Sequence, residues 1–245
     1  MTPPVVALHG FTGTPASWQA ALPEAETPAL LGHDRSAPLH ASSCLWSEVD
    51  RIAAIARWHA EPGAGVHLVG YSMGARVALA LALRHPQLVV HLTLIGVNPG
   101  LADEDARRQR QAWEAELRAI LDGGDIAGFA DAWEALPLWA SQRALAPDVL
   151  ASQRRMRRAH DPRGLAAALA ALGLGSMPNL WPMLTSLQPA VHLIAGELDS
   201  KFHSLALAIA QHAPRARVST VSGAGHNPVL ETPRELARLI HKAQP

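Results

Sequence analysis

Val66-His67-Leu68-Val69-Gly70-Tyr71-Ser72-Met73-Gly74-Ala75-Arg76 is the stretch whose reading decides the fold. Residues 66–69 form a short, continuous apolar run of the kind found in a strand buried on both faces. The run breaks at glycine, and Ala75 to His85 (ARVALALALRH) then has helix formers throughout until Pro86 stops it. Gly70-x-Ser72-x-Gly74 therefore sits at a strand-to-helix turn. That context distinguishes a nucleophile elbow from an ordinary glycine-rich turn: the serine is forced into a strained backbone, and the flanking glycines let neighbouring segments approach closely.

The same strand signal recurs on both sides of the elbow. Pro4 to His9, Val89 to Ile95 and Val191 to Ala195 are apolar, β-branched runs, the first and the last two ending at glycine, and Val218 to Val221 is a weaker last strand. Between them lie Ser47 to Ala60, read as an amphipathic helix opened by a Ser47-x-x-Asp50 pair, and an apolar-periodic stretch from Ser204 to His212. A final helix is expected from Thr232-Pro233-Arg234-Glu235, with a capping Thr, a Pro at the first helical position and a Glu closing the box. Strands alternating with helices predict an α/β fold with a mostly parallel sheet flanked by helices. From about Asn98 to Leu187 the rhythm fails: only helical pattern is present, with Trp113, Trp133, Trp139 and Trp181. The expected organisation is a core of residues 1–97 and 188–245, with a helical lid insertion over 98–187.

Composition excludes several classes of function. Lys+Arg and Asp+Glu are both 21, so the chain has no net charge to attract nucleic acid or an anionic membrane. No stretch approaches the roughly 20 apolar residues of a membrane span. Cys44 is the only cysteine, which rules out an intrachain disulfide framework and a thiolate metal cluster. The N-terminal residues lack the basic and apolar regions of a signal peptide. A cytoplasmic monomer with no metal or organic cofactor is expected.

A nucleophilic serine needs a base, and of the thirteen histidines His226 is the best placed. It follows Gly223-Ala224-Gly225 after the last strand, on a loop at the same sheet edge as Ser72. His67, His91 and His192 fall inside strand runs, and His85 at a helix end. Asp199, just beyond the strand ending at Ala195-Gly196, would orient the imidazole, with Glu197 as the rival acid. Ser, Asp and His in that chain order are the order of the hydrolase fold. His9-Gly10-Phe11-Thr12-Gly13 follows the first strand, so the backbone N–H groups of Phe11 and of Met73, next to the nucleophile, would form the oxyanion hole. Arg76 lies one turn beyond Ser72 on the same helix face, where a partly buried guanidinium needs an anionic partner. Further arginines cluster at 107, 108 and 110 and at 154, 155, 157 and 158. Each cluster fits a solvated helix face. Together with Arg76 they also permit a pocket for a small polycarboxylate.

LHGFTG (8–13), GYSMG (70–74) and GAGH (223–226) resemble the α/β-hydrolase superfamily. More narrowly, GYSMGARVA (70–78), NPGL (98–101), Trp133 with PLW (137–139), GELDSKF (196–202), GHN (225–227) and ETP (231–233) resemble the 2-succinyl-6-hydroxy-2,4-cyclohexadiene-1-carboxylate synthases of menaquinone biosynthesis. The resemblance spans nearly the whole chain. It implies a triad of Ser72, Asp199 and His226, a pocket tyrosine at Tyr71, carboxylate-binding arginines at Arg76, Arg110 and Arg157, and aromatics at Trp133 and Trp139. It further implies a lyase: Ser72, relayed to His226, removes a proton from a carbon activated by the succinyl carbonyl, the oxyanion hole takes the enolate charge, and pyruvate leaves. Two positions depart from the family pattern. Leu31-Gly32-His33-Asp34-Arg35 replaces its Pro-Gly-His-Gly turn, and Trp139 stands where Phe is common. The same triad also fits a serine hydrolase of small esters, thioesters or C–C bonds, and the fold alone would fit a ligand-binding module.

Overall fold

The computed structural model describes residues 2–34, 42–61 and 63–242. Strands β1 (Val5–Leu8), β2 (Val66–Tyr71), β3 (Val89–Ile95), β4 (Ala190–Gly196) and β5 (Ala216–Val221) pair in chain order, every neighbour parallel. Each strand adds on the same side of its predecessor. Right-handed crossovers then place the connecting helices on one face. That face carries α1 (Leu45–His59), α2 (Met73–Arg84) and α7 (Ser200–His212), packed on Leu8, Leu68, Leu92 and Leu193. Ala7, Val69, Ile95 and Ile194 alternate to the opposite face, where the final helix α9 (Pro233–His241) and Trp18 and Leu22 cover them. Each fully buried Leu or Ile contributes roughly 1.5–3 kcal/mol. The central strands are buried along nearly their whole length, whereas β5 is an edge strand that places exposed Arg217 and Thr220 and half-buried Ser219 among its apolar residues. That is why its run reads weakly and misses its first two residues.

Between β3 and β4 lie α3 (Glu104–Asp122), α4 (Ile126–Glu134), α5 (Pro147–Arg158) and α6 (Pro162–Leu172), with 3-10 segments at Pro137–Ala144 and Trp181–Ser186 and no strand among the described residues. These helices have a core of their own, built from Leu117, Leu121, Phe129, Trp133, Trp139, Leu165 and Leu169, into which Phe11 packs from the loop after β1. Leu172, Met177, Leu180 and Leu187 join the sheet-side core instead. No helix among the described residues is long and apolar enough to cross a membrane.

Two helix starts differ from expectation. α1 begins at Leu45 with Cys44 as its N-cap, so Ser47 is the third helical residue; its hydroxyl accepts from the Cys44 N–H and donates to the Cys44 carbonyl, both at 2.9 Å. Asp50 is drawn away from any capping role by Arg84 and His85 at the end of α2. Thr232 and Pro233 do occupy the cap and first position of α9, but the box does not close. The Thr232 hydroxyl donates to the Pro228 carbonyl of a one-turn helix, α8 (Pro228–Glu231), that runs directly into α9, and Glu235 pairs with Arg238 at 2.7 Å.

Candidate active site

The register of the sheet brings the ends of its strands to one edge: Leu8 lies beside Gly70, Tyr71 beside Ile95, and Gly196 beside Val221. Ser72 is the first residue past β2. Its φ of +52° and ψ of −108° lie where non-glycine residues are strained by about 1–3 kcal/mol, and its N–H is tied to the Ile95 carbonyl at 2.8 Å. A Cβ on Gly74 would overlap the Leu8 carbonyl, and one on Gly70 the backbone of Gly74 and Ala75. The turn closes only because both positions lack side chains.

His226 meets Ser72 on one side and Asp199 on the other, with Nε2 3.2 Å from the Ser72 Oγ and Nδ1 2.7 Å from an Asp199 carboxylate oxygen. Asp199 is also the N-cap of α7, its other oxygen accepting from the Phe202 N–H at 3.3 Å. Glu197, the rival acid, faces the turn after β5, where it accepts from the Ser222 hydroxyl and the Gly223 N–H. The imidazole is enclosed by the rings of Phe202, Tyr71 and Trp139, with centroids 4.3, 5.6 and 5.7 Å away. Such an arrangement can take a proton through the serine oxygen and hold the resulting imidazolium. Phe11 and Met73 line the same cavity, and among the described residues neither backbone N–H donates a hydrogen bond.

That cavity has a volume of about 240 Å³. Arg76 and Arg110 both line it. Arg76 is buried, with no carboxylate within 4 Å among the described residues; its polar contact is to the Met177 sulfur at 3.9 Å. Burial, and then the like charge of Arg110, push its guanidinium down to about 10. Arg110 donates to Glu114 at 2.7 Å and lies 4.3 Å from the Trp113 ring centroid. Glu114 is saturated, since the Leu174 and Gly175 N–H groups also donate to it. Tyr71, Trp133 and Trp139 line this cavity, and the Tyr71 hydroxyl and the two indole nitrogens are enclosed with no hydrogen-bond partner among the described residues. Burial pushes the Tyr71 phenol well above its usual value, so it stays a donor. A cavity lined by a buried guanidinium that has no carboxylate partner suits an anionic ligand.

Arg157 is placed differently. It donates to Glu134 at 3.0 Å and to the Thr12 hydroxyl at 3.4 Å, and it lines an adjoining cavity of about 610 Å³, not the one containing Ser72. Phe11, Tyr71 and Trp139 line both cavities and divide them. Lys201 lines the Ser72 cavity and was not singled out from the sequence; its place in GELDSKF, two residues after Asp199, is the signal that points to it. His67 and His192 are core histidines bonded to Thr93 and Ser219, both at 2.8 Å. The departing turn Leu31 to Arg35 is described as far as Asp34, and Arg35 lies outside the described residues. Among the described residues no group of three or more His, Cys, Asp or Glu could hold a metal ion.

Comparison with known proteins agrees with this fold. A model of the alpha/beta hydrolase family matches residues 5–239. The putative 2-succinyl-6-hydroxy-2,4-cyclohexadiene-1-carboxylate synthase of Bacillus subtilis (strain 168) is 33% identical over 96% of this chain and 88% of its own. The enzyme of that name from Enterobacter sp. (strain 638) is 29% identical over 97% of this chain and 90% of its own. Among solved structures, MenH from S. aureus superposes with a TM-score of 0.92 at 28% identity, covering 99% of this chain and 93% of that one. A thermophilic esterase from Thermogutta terrifontis shares the fold, with a TM-score of 0.81 at 24% identity.

Proposed function

The chain belongs to the alpha/beta hydrolase family, and from that premise we propose that it is a carbon–oxygen lyase of menaquinone biosynthesis. It eliminates pyruvate from the succinyl-enolpyruvyl-hydroxycyclohexene-carboxylate intermediate to give 2-succinyl-6-hydroxy-2,4-cyclohexadiene-1-carboxylate. The observation that carries this reading is Arg76: a buried cation without a carboxylate partner, beside Arg110, in the cavity that contains Ser72. An esterase for neutral substrates has no use for it. The names of the relatives support the same chemistry.

In the proposed reaction the Ser72 oxygen, its own proton passing to His226 Nε2, removes the proton from the ring carbon next to the succinyl ketone. The electron pair moves onto the ketone oxygen, where the Phe11 and Met73 amides stabilise the enolate as they would a tetrahedral oxyanion. Collapse of the enolate shifts the ring double bond and breaks the bond to the enolpyruvyl oxygen. The proton held by His226 returns to the departing enolpyruvate, which leaves as pyruvate. Asp199 fixes the tautomer and stabilises the transient imidazolium. Arg76 and Arg110 take substrate carboxylates, Tyr71, Trp133 and Trp139 supply neutral donors, and a carboxylate reaches Arg157 by extending past Tyr71 and Trp139. The helices within 98–187 serve as the lid over this reaction. We further propose a cytoplasmic monomer; a free exposed Cys44 suits the reducing cytoplasm.

The test supplies the enolpyruvyl intermediate and follows pyruvate release, in parallel with a panel of neutral p-nitrophenyl esters. Rapid pyruvate release with slow ester turnover is expected. Ester turnover without pyruvate release would replace the lyase with a serine hydrolase.

A further inference from the structure

Among the described residues only two that are not glycine have a positive φ: the nucleophile Ser72 and Thr12, at +64°. Thr12 directly follows Phe11, whose amide the proposed reaction uses, so the conformation of Thr12 sets the direction of the loop that presents it. Such a conformation persists only where surrounding structure over-determines it. Here every polar group of Thr12 is held by a side chain distant in sequence. Its N–H donates to His33 Nε2 at 3.1 Å, its carbonyl accepts from His160 Nε2 at 3.2 Å, and its hydroxyl accepts from Arg157 Nε at 3.4 Å.

We propose that His33 and His160 are positioning residues that hold Thr12 in the left-handed conformation and thereby aim the Phe11 amide into the Ser72 cavity. The two rings have opposite tautomers, each dictated by its partners. His33 donates from Nδ1 to the Leu31 carbonyl at 3.0 Å, leaving Nε2 free to accept; His160 must carry its proton on Nε2 to bond a carbonyl. The rings stack edge to face at 5.5 Å, with His9 against His33 at 4.8 Å. Burial lowers the pKa of all three, keeping His33 in the neutral form that its acceptor role requires. Backbone packing fixes the two supports: Gly32 and Gly164 touch so closely that a Cβ on either would overlap the other's carbonyl. His160 belongs to the α5–α6 turn, so the helices over the site help to set the geometry beneath them.

The inference rests on the lyase reading for its kinetic readout but not for its spectroscopic one. His160→Leu is expected to lower kcat for pyruvate release by about tenfold, short of the 10²–10³ for loss of an oxyanion donor, with KM changed less than twofold. His160→Gln, whose amide N–H takes the place of Nε2–H, should stay within threefold of the wild-type kcat. Equal losses in the Leu and Gln variants, or an unchanged kcat in the Leu variant, would overturn the proposal. Long-range ¹H–¹⁵N spectra of the wild-type protein need neither substrate nor a variant that folds. They should show the His33 proton on Nδ1 and the His160 proton on Nε2; a His33 proton on Nε2 would also overturn it. If the wild-type protein releases no pyruvate, the lyase reading fails and the tautomers alone decide the clamp.

Discussion

Arg76 and Arg157 are equally hidden, 8% and 3% exposed, yet they belong to different regions and have opposite surroundings. Arg76 stands on the elbow helix of the sheet region with no carboxylate within reach, whereas Arg157 stands on α5 of the covering helices with Glu134 at 3.0 Å. A buried cation without a counter-ion costs several kcal/mol, and its retention calls for an anion from outside the chain. A buried cation with one is already satisfied. The buried arginine of the sheet region is therefore left to meet an anion, and the buried arginine of the helical region is already met by Glu134.

The sharpest way to break that contrast lies within the sheet region. Asp199→Asn is expected to lower kcat by roughly 10³–10⁴-fold, because the His226 tautomer is lost while the geometry survives. Glu197→Gln should change it less than twofold, and comparable losses in both would show that the acid is misassigned. Next in size, Arg76→Ala should lower kcat/KM for the carboxylate substrate by about ten- to a hundredfold, the loss of a charge-assisted pair of roughly 1.5–3 kcal/mol. Arg110→Ala should cost about tenfold, since Glu114 already shares its charge. Arg157→Ala should cost less than Arg76→Ala; the reverse order in steady-state kinetics would move the ligand into the adjoining cavity.

The smallest effect, counted per residue and per pH unit, concerns stability. In the sheet region burial lowers His9, His67 and His192 to about 4 from an ordinary value near 6.5. The unfolded chain therefore binds these protons first. The stability they contribute is complete above pH 6.5 and is lost as pH falls toward 4, by roughly 1 kcal/mol per pH unit for each ring. Urea unfolding at a series of pH values should show that decline, and His192→Gln should make it shallower. A stability that stays flat from pH 6.5 to 4 would contradict the burial of these rings.

The sheet region was the legible one. Strand runs ending in glycine, the Ser72 turn and the loops bearing His226 and Phe11 are set by local backbone rules, so their positions at a common edge follow from topology. Asp199 was separable from Glu197 only in space, because the capping of α7 and the turn after β5 draw the two carboxylates apart. The helical region resisted reading for the opposite reason. Whether an arginine on an amphipathic helix meets ligand or carboxylate depends on the neighbouring helix, as Glu134 does for Arg157. Nothing near His160 in the chain signals Thr12, 148 residues away. Even the start of α1 slipped, since Ser47 can serve either end of a capping box.

The two oxygens of Asp199 have separate employers, one the Phe202 amide and the other His226. Evolutionary drift to the longer acid, Asp199→Glu, would thus be opposed twice over: once by a poorer start to α7 and once by a displaced imidazole. Selection on simple folding already favours the shorter side chain there, so a descendant that had abandoned the reaction would still tend to keep this aspartate. Its presence alone is a weak record of activity, and Ser72 and Arg76, which no helix needs, are the better witnesses.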